Sequence, residues 1–193
     1  MPGRHKPILG RRKVRAQSTV ALAKRMPDLR AIWIGHRLDP SFRETIMVAV
    51  ASANSSRQCS FAHREWALAA GLPKAELAAL EAMDPEPFDA HRWAAIAWVH
   101  AAASGGFRHV PEAIDADFRR EFTPAEQSDI ELVARTMTWM NEVSNTVDAA
   151  WLRAKKGPVP DSRLANEIRA LVLYGIAVPP LLVLLGVLDH QSP

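Results

Sequence analysis

The sequence has little cysteine: Cys59 is the only one in 193 residues. A single cysteine excludes an internal disulfide and a zinc site made of several cysteines, and with them a disulfide-stapled secreted scaffold. Runs of β-branched residues outside helical spacing are scarce, which argues against a sheet. There is no glycine-rich phosphate loop, nucleotide fingerprint or flavin motif, so we expect no cofactor. These absences predict a helical protein of a reducing compartment, and the cytosol is the expected location.

The rest of the composition is that of an ordinary globular protein, with 48% hydrophobic and 23% charged residues. This balance excludes a disordered or fibrous chain. The length fits one domain with an appendage, and it is sufficient to bury a core without disulfides or metals.

Positive charge is concentrated near the N-terminus. Residues 1–30 carry a formal charge of +8, and the remaining residues carry −5. We predict a basic arm over residues 1–30, either solvated or docked on an acidic surface. Attraction to an anionic membrane is an alternative. Nucleic-acid binding is not expected, because short basic runs are common and carry little information alone. The segment lacks the continuous apolar core of a secretory signal.

The apolar residues recur at helical spacing almost throughout, which predicts an all-α fold. Asp39 before Pro40 is a typical helix start, and Thr123 with Glu126 forms the pattern of a capping box. The predicted helices cover about residues 18–25, 40–53, 57–70, 89–104, 114–122 and 124–153, and a further helix opens at Pro73.

The C-terminal segment, residues 158–193, is unusually apolar. Residues 170–188 contain no charged side chain, and this length is close to that of a bilayer span. Pro179 and Pro180 interrupt the run, which lipid tolerates poorly. We therefore predict packing against the core or against another subunit, with membrane association through residues 170–188 as the alternative.

Cys59 and His63 lie four residues apart on one predicted helix, which places them on the same face. Ser56 is the predicted N-cap, so Cys59 falls in the first turn, where the helix dipole and a nearby imidazole lower the pKa of a thiol. Glu44 lies on the preceding helix. If the two helices pair in antiparallel fashion, Glu44 can approach and orient the His63 imidazole.

Structural roles for the same residues stay open. A lone cysteine often packs as a small hydrophobic side chain, and a histidine on an apolar helix face is often a hydrogen-bonded core residue. His91 and His100 lie nine residues apart without a second pair of ligands, so we expect no metal site.

The segments 38–44, 59–63 and 69–72 resemble the carboxymuconolactone decarboxylase/alkylhydroperoxidase D-like family. Redox members of that family carry a glutamate, then Cys-x-x-Cys, then three residues and a histidine. Glu44, Cys59 and His63 fall at the matching intervals of fifteen and four residues. Residues 118–148 resemble the long second-half helix of the family more loosely.

The resemblance implies a helical bundle built on antiparallel helical hairpins, over residues 31–157, and a homo-oligomer. It also implies that Cys59 attacks a peroxide while His63 and Glu44 relay the proton. Ser56 stands where the family has its resolving cysteine, and Gln58 stands where peroxidase members can have a histidine. Oxidised Cys59 therefore needs an external thiol, a partner protein or another subunit to resolve it.

Three functions follow from this resemblance. The first is a one-cysteine thiol peroxidase. The second is a decarboxylase-like enzyme that acts on a lactone acid by proton transfer, with Cys59 as packing. The third is a helical binding or scaffold protein without catalysis, for which the lost resolving cysteine is the best support.

Overall fold

The computed structural model describes residues 6–9, 20–159 and 162–177, and within these residues it is helical without a strand. A helical segment over residues 20–24 is followed by eight helices and a π-helical turn. They are α1 (Met26–Trp33), α2 (Pro40–Ala53), α3 (Arg57–Ala69), α4 (Lys74–Ala82), α5 (Ala90–Ser104), α6 (Glu112–Glu121), α7 (Pro124–Lys156), α8 (Leu164–Val172) and the π turn (Leu173–Ala177). The all-α prediction is confirmed.

The chain forms two compact units, residues 38–138 and a second unit made of residues 1–37 and 139–193. In the first unit α2 is the central helix, since it packs against α3, α4 and α5. Ten of the fourteen residues of α2 are buried, including Arg43 and Glu44. The predicted domain boundaries at residues 30 and 157 stay a prediction.

Side-chain caps begin three helices where the sequence predicts helix starts. Asp39 accepts a hydrogen bond from the Phe42 amide at 2.9 Å, and Asp89 accepts one from the Arg92 amide at 2.7 Å. At α7 the Glu126 carboxylate accepts from the Thr123 amide at 2.8 Å, and the Thr123 hydroxyl accepts from the Glu126 amide at 3.4 Å, which completes the capping box.

Helix α1 is not predicted from the sequence. Arg25, at its N-cap, makes no capping hydrogen bond with its side chain, although Pro27 and Asp28 occupy the first turn. The helix is fixed by burial of Leu29, Ile32 and Trp33. Tertiary packing therefore decides this helix, and its local sequence carries only weak start signals.

The second unit ties the N-terminal segment to the second half of α7. The Leu9 amide donates to the Thr146 hydroxyl at 2.8 Å, and the Asn145 side-chain amide donates to the Pro7 carbonyl at 3.1 Å. Thr146 and Asn145 are both buried, so the backbone of residues 6–9 satisfies polar groups that water does not reach.

Helix α8 is held in the same unit by an ion pair between Arg153, which is partly buried, and Glu167, which is buried. The Arg153 guanidinium donates to the Glu167 carboxylate at 2.6 Å and to the Ser162 carbonyl at 2.9 Å, and the Ser162 hydroxyl donates to Glu167 at 2.6 Å. Arg153 chiefly, and Ser162 to a smaller extent, hold the pKa of Glu167 below its ordinary value. Glu167 is therefore ionised at neutral pH.

Replacing Glu167 with glutamine will lower the thermal midpoint at pH 7, and this effect will shrink as the pH falls below about 4.5. A carboxyl group whose pKa is lower in the folded chain stabilises the fold above its unfolded pKa, which is about 4.5. That contribution is lost as the pH falls through the lower folded value. The measurement is the thermal midpoint of both proteins from pH 7 to pH 3.

The matched control is Glu131→Gln, which removes an exposed ion pair with Arg135. Exposed pairs contribute little, so its midpoint should stay close to that of the wild type at every pH. A Glu167→Gln midpoint that differs equally from the wild type at pH 7 and pH 3 would contradict the role of this ion pair.

Within the described residues, none of the helices is long and apolar enough to cross a membrane. The apolar run predicted over residues 170–188 is described only as far as residue 177, and its remainder lies outside the described residues.

Candidate active site

A tight turn at residues 54–56 reverses the chain between α2 and α3. Ser55 adopts a left-handed conformation there, with φ of 50°. The Ser56 amide donates back to the Ala51 carbonyl at 3.1 Å. Glu44 lies ten residues before this turn and His63 seven residues after it, so the two side chains reach similar heights on neighbouring helices.

The structure brings Glu44 and His63 into direct contact. His63 Nδ1 lies 2.8 Å from Glu44 Oε2, and both side chains are almost completely buried. With a neutral imidazole, Nδ1–H donates to the carboxylate, and Nε2 carries the lone pair that accepts a proton. The edge of the His63 ring also contacts Trp66 on the same helix, with 4.7 Å between ring centroids. These contacts fix both the tautomer and the position of the imidazole.

Arg43 is a member of this cluster that the sequence analysis did not identify. Its Nε and Nη2 atoms both lie 3.4 Å from Glu44 Oε1, and its side chain is buried. The Glu44 carboxylate is therefore shared, with one oxygen facing the guanidinium and the other facing the imidazole. The buried guanidinium thus lies beside the carboxylate whose other oxygen contacts His63.

Replacing Arg43 with methionine will destabilise the fold by about 3 kcal/mol, because it leaves a buried carboxylate without its cationic neighbour. The measurement is urea unfolding at neutral pH. The matched control is Arg119→Met, which removes an exposed pair with Asp115 and should cost less than about 1 kcal/mol. Equal losses in the two variants would mean that Arg43 does not support Glu44.

Cys59 is the third residue of α3 and is partly exposed. Its position in the first turn agrees with the sequence analysis. Cys59 and His63 lie four residues apart on α3, which places them on one face of the helix, one turn apart. Cys59 is partly exposed, whereas Glu44 and His63 are buried.

Ser56 occupies the N-cap position of α3, but its side chain does not cap the helix. The expectation that its hydroxyl caps α3 is therefore wrong. Ser56 is fully buried, and its Oγ has no hydrogen-bond partner among the described residues.

Gln58 is exposed and lies one residue before Cys59, so it is off the face that Cys59 and His63 share. The structure thus brings Glu44 into contact with His63 and Arg43, and it places Ser56 at the N-cap of α3 and Cys59 in the first turn of that helix. No group of His, Cys, Asp and Glu side chains among the described residues could hold a metal ion.

Residues 21–101 match the family model described as Carboxymuconolactone decarboxylase family, which covers less than half of the chain. The matched region contains the whole cluster, from Arg43 and Glu44 to Cys59 and His63. The resemblance identified from the sequence is confirmed at this level. No curated protein and no solved structure gives a significant match.

Proposed function

Since the chain carries a carboxymuconolactone decarboxylase family domain, we propose that it is a one-cysteine thiol peroxidase. Cys59 is the attacking thiol, and a small hydroperoxide is the substrate. The observation that carries this proposal is the buried Glu44–His63 hydrogen bond one helical turn from a partly exposed cysteine. A base that is oriented by a carboxylate and lies beside a nucleophile is the arrangement that activates a thiol.

In the proposed reaction the Cys59 S–H bond breaks and its proton passes to His63 Nε2. The thiolate sulfur attacks the terminal oxygen of the hydroperoxide, so that an S–O bond forms and the O–O bond breaks. The leaving alkoxide takes the proton from His63 and departs as an alcohol. Cys59 is then a sulfenic acid, and the peroxide has been reduced by two electrons.

An external thiol completes the proposed cycle, because Ser56 cannot form a disulfide. The sulfur of the external thiol attacks the sulfenic sulfur of Cys59. The S–O bond breaks and water leaves, which produces a mixed disulfide at Cys59. A second thiol attacks the external sulfur of that disulfide. This step releases Cys59 as a thiol and leaves the oxidised reductant as a disulfide.

The carboxylate beside His63 supports the proton transfers in both directions. Glu44 stabilises the imidazolium that forms when His63 takes the thiol proton, and Arg43 limits the cost of holding a carboxylate in a buried site. Because Nδ1 is engaged by Glu44, the proton moves through Nε2 alone.

The experiment that tests the proposal is hydroperoxide consumption by the full chain with an excess of a small thiol. We expect turnover that saturates with peroxide and is absent from Cys59→Ala. Equal consumption by the wild type and by Cys59→Ala would contradict the proposal.

A decarboxylase-like enzyme is the second candidate, because the Glu44–His63 pair is complete without a thiol. In that case His63 transfers a proton to or from a lactone acid, and Cys59 has only a packing role. Activity on a lactone acid that survives Cys59→Ala and is lost in His63→Gln would favour this candidate over the peroxidase.

The resemblance also leads us to propose a homo-oligomer, and the need for an external thiol leads us to propose a reducing compartment such as the cytosol. Sedimentation of the purified chain tests the first of these, and the redox state of Cys59 in freshly prepared extract tests the second.

A further inference from the structure

Helix α8 presents a row of apolar side chains to solvent. Leu164, Ile168, Leu171 and Val172, here called the α8 row, are each between 51 and 58% exposed. Their spacing of four, three and one residues places them on one face of the helix. The row continues into the π turn with Tyr174 and Ile176, which are 42 and 69% exposed. A contiguous exposed apolar face of this kind marks a surface that contacts something other than water.

The α8 row is exposed because the opposite side of the helix is fixed. Glu167 is buried in its bonds to Arg153 and Ser162, and Ala170 is buried beside it. Rotating the row inward would expose Ala170 and break the ion pair of a buried carboxylate, which is costly. The fold therefore holds the apolar face outward.

The exposed charged side chains of residues 162–177 are all positive. Residues 162–177 contain three charged side chains, Arg163, Glu167 and Arg169. Glu167 is buried against Arg153, whereas both arginines are exposed. An apolar face flanked by exposed cations is the pattern of a helix that lies in the interface of an anionic membrane.

We propose that α8 binds the surface of an anionic membrane, with the α8 row in the acyl region and Arg163 and Arg169 on lipid phosphates. Tyr174 places an amphipathic ring at the depth that aromatic side chains favour. The helix lies on the membrane and does not cross it, since α8 is too short to span a bilayer. The sequence continues over residues 178–188 without a charged residue.

A second copy of the chain fits the same face less well. A symmetric contact between two α8 helices would bring the arginines of both copies close together without an exposed acid from this segment to offset them. Lipid phosphates supply the missing negative charge. The inference is independent of the chemistry at Cys59.

Flotation of the full chain with lipid vesicles tests this proposal. The chain should float with vesicles of phosphatidylcholine and phosphatidylserine, and binding should weaken at high salt and with phosphatidylcholine alone. Ile168→Glu should reduce binding at least about tenfold, since it places a charge in the acyl region. Ile34→Glu is the matched control, because Ile34 is a similarly exposed isoleucine outside the row, and it should bind like the wild type.

A second variant keeps the test decisive if Ile168→Glu fails to fold, as judged by circular dichroism. The double variant Arg163→Gln/Arg169→Gln leaves the apolar row intact and should lose about tenfold in binding to the anionic vesicles. The proposal would be overturned if the wild type did not bind these vesicles, or if both variants bound them as tightly as the wild type. An oligomer that Ile168→Glu dissociates, with no vesicle binding, would assign the face to a second copy instead.

Discussion

Replacing His63 with glutamine will slow the oxidation of Cys59 by hydroperoxide by about 100-fold or more. Glutamine can still donate a hydrogen bond to Glu44, but it cannot take the proton from the thiol or return one to the leaving alkoxide. The loss therefore reports proton transfer and not the loss of a buried hydrogen bond. The measurement is the rate of sulfenic acid formation at Cys59, followed with a trapping reagent under excess peroxide.

His91→Gln is the matched control for this experiment. His91 is an exposed histidine on α5, where it lies 4.0 Å from Glu121 and outside the cluster. Its replacement should leave the rate of sulfenic acid formation unchanged. If His63→Gln folds normally and oxidises at the wild-type rate, the imidazole is a packing residue and the proposed proton transfer is wrong.

The second large effect is expected from Ser56→Cys. This variant should form an internal disulfide with Cys59 after one equivalent of peroxide, and its mass should fall by two hydrogens relative to the reduced chain. Residues three apart at a helix start have Cβ atoms about 5–6 Å apart, and a small adjustment brings them within disulfide range. Because the Ser56 hydroxyl makes no hydrogen bond with the described residues, its replacement forfeits none.

Turnover by Ser56→Cys should then depend on a dithiol that opens the internal disulfide, because the mixed disulfide with a small thiol no longer forms first. The effective concentration of a thiol within the chain far exceeds that of an added one. Ser104→Cys, at the exposed end of α5, is the control and should yield no internal disulfide. A sulfenic acid that persists in Ser56→Cys would show that the two side chains do not meet.

Much of the candidate site follows from the sequence alone. The interval between Glu44 and His63 spans a turn whose polar residues end one helix and begin the next, and the structure places the two side chains 2.8 Å apart. The helix starts at Asp39, Asp89 and Thr123 depend on local hydrogen bonds, so the sequence suffices to find them. Gly157, at φ of 87°, ends α7 three residues later than predicted.

What the sequence analysis missed depends on contacts between distant residues. Arg43 reads as a solvent-facing cation at the start of a helix, and its burial depends on the packing of the helices around α2. Helix α1 has few local start signals and forms because Leu29, Ile32 and Trp33 are buried. The Ser56 hydroxyl has the chemistry of a cap, but it makes no capping hydrogen bond in the structure.

The rate of reaction of Cys59 with a hydroperoxide at neutral pH, compared with that of free cysteine, shows whether Cys59 is an activated nucleophile. We expect a rate constant at least about 100-fold higher than that of free cysteine, since His63 and Glu44 assist both proton transfers. A rate constant equal to that of free cysteine, measured on the folded full chain, would contradict the assignment of Cys59 as an activated nucleophile.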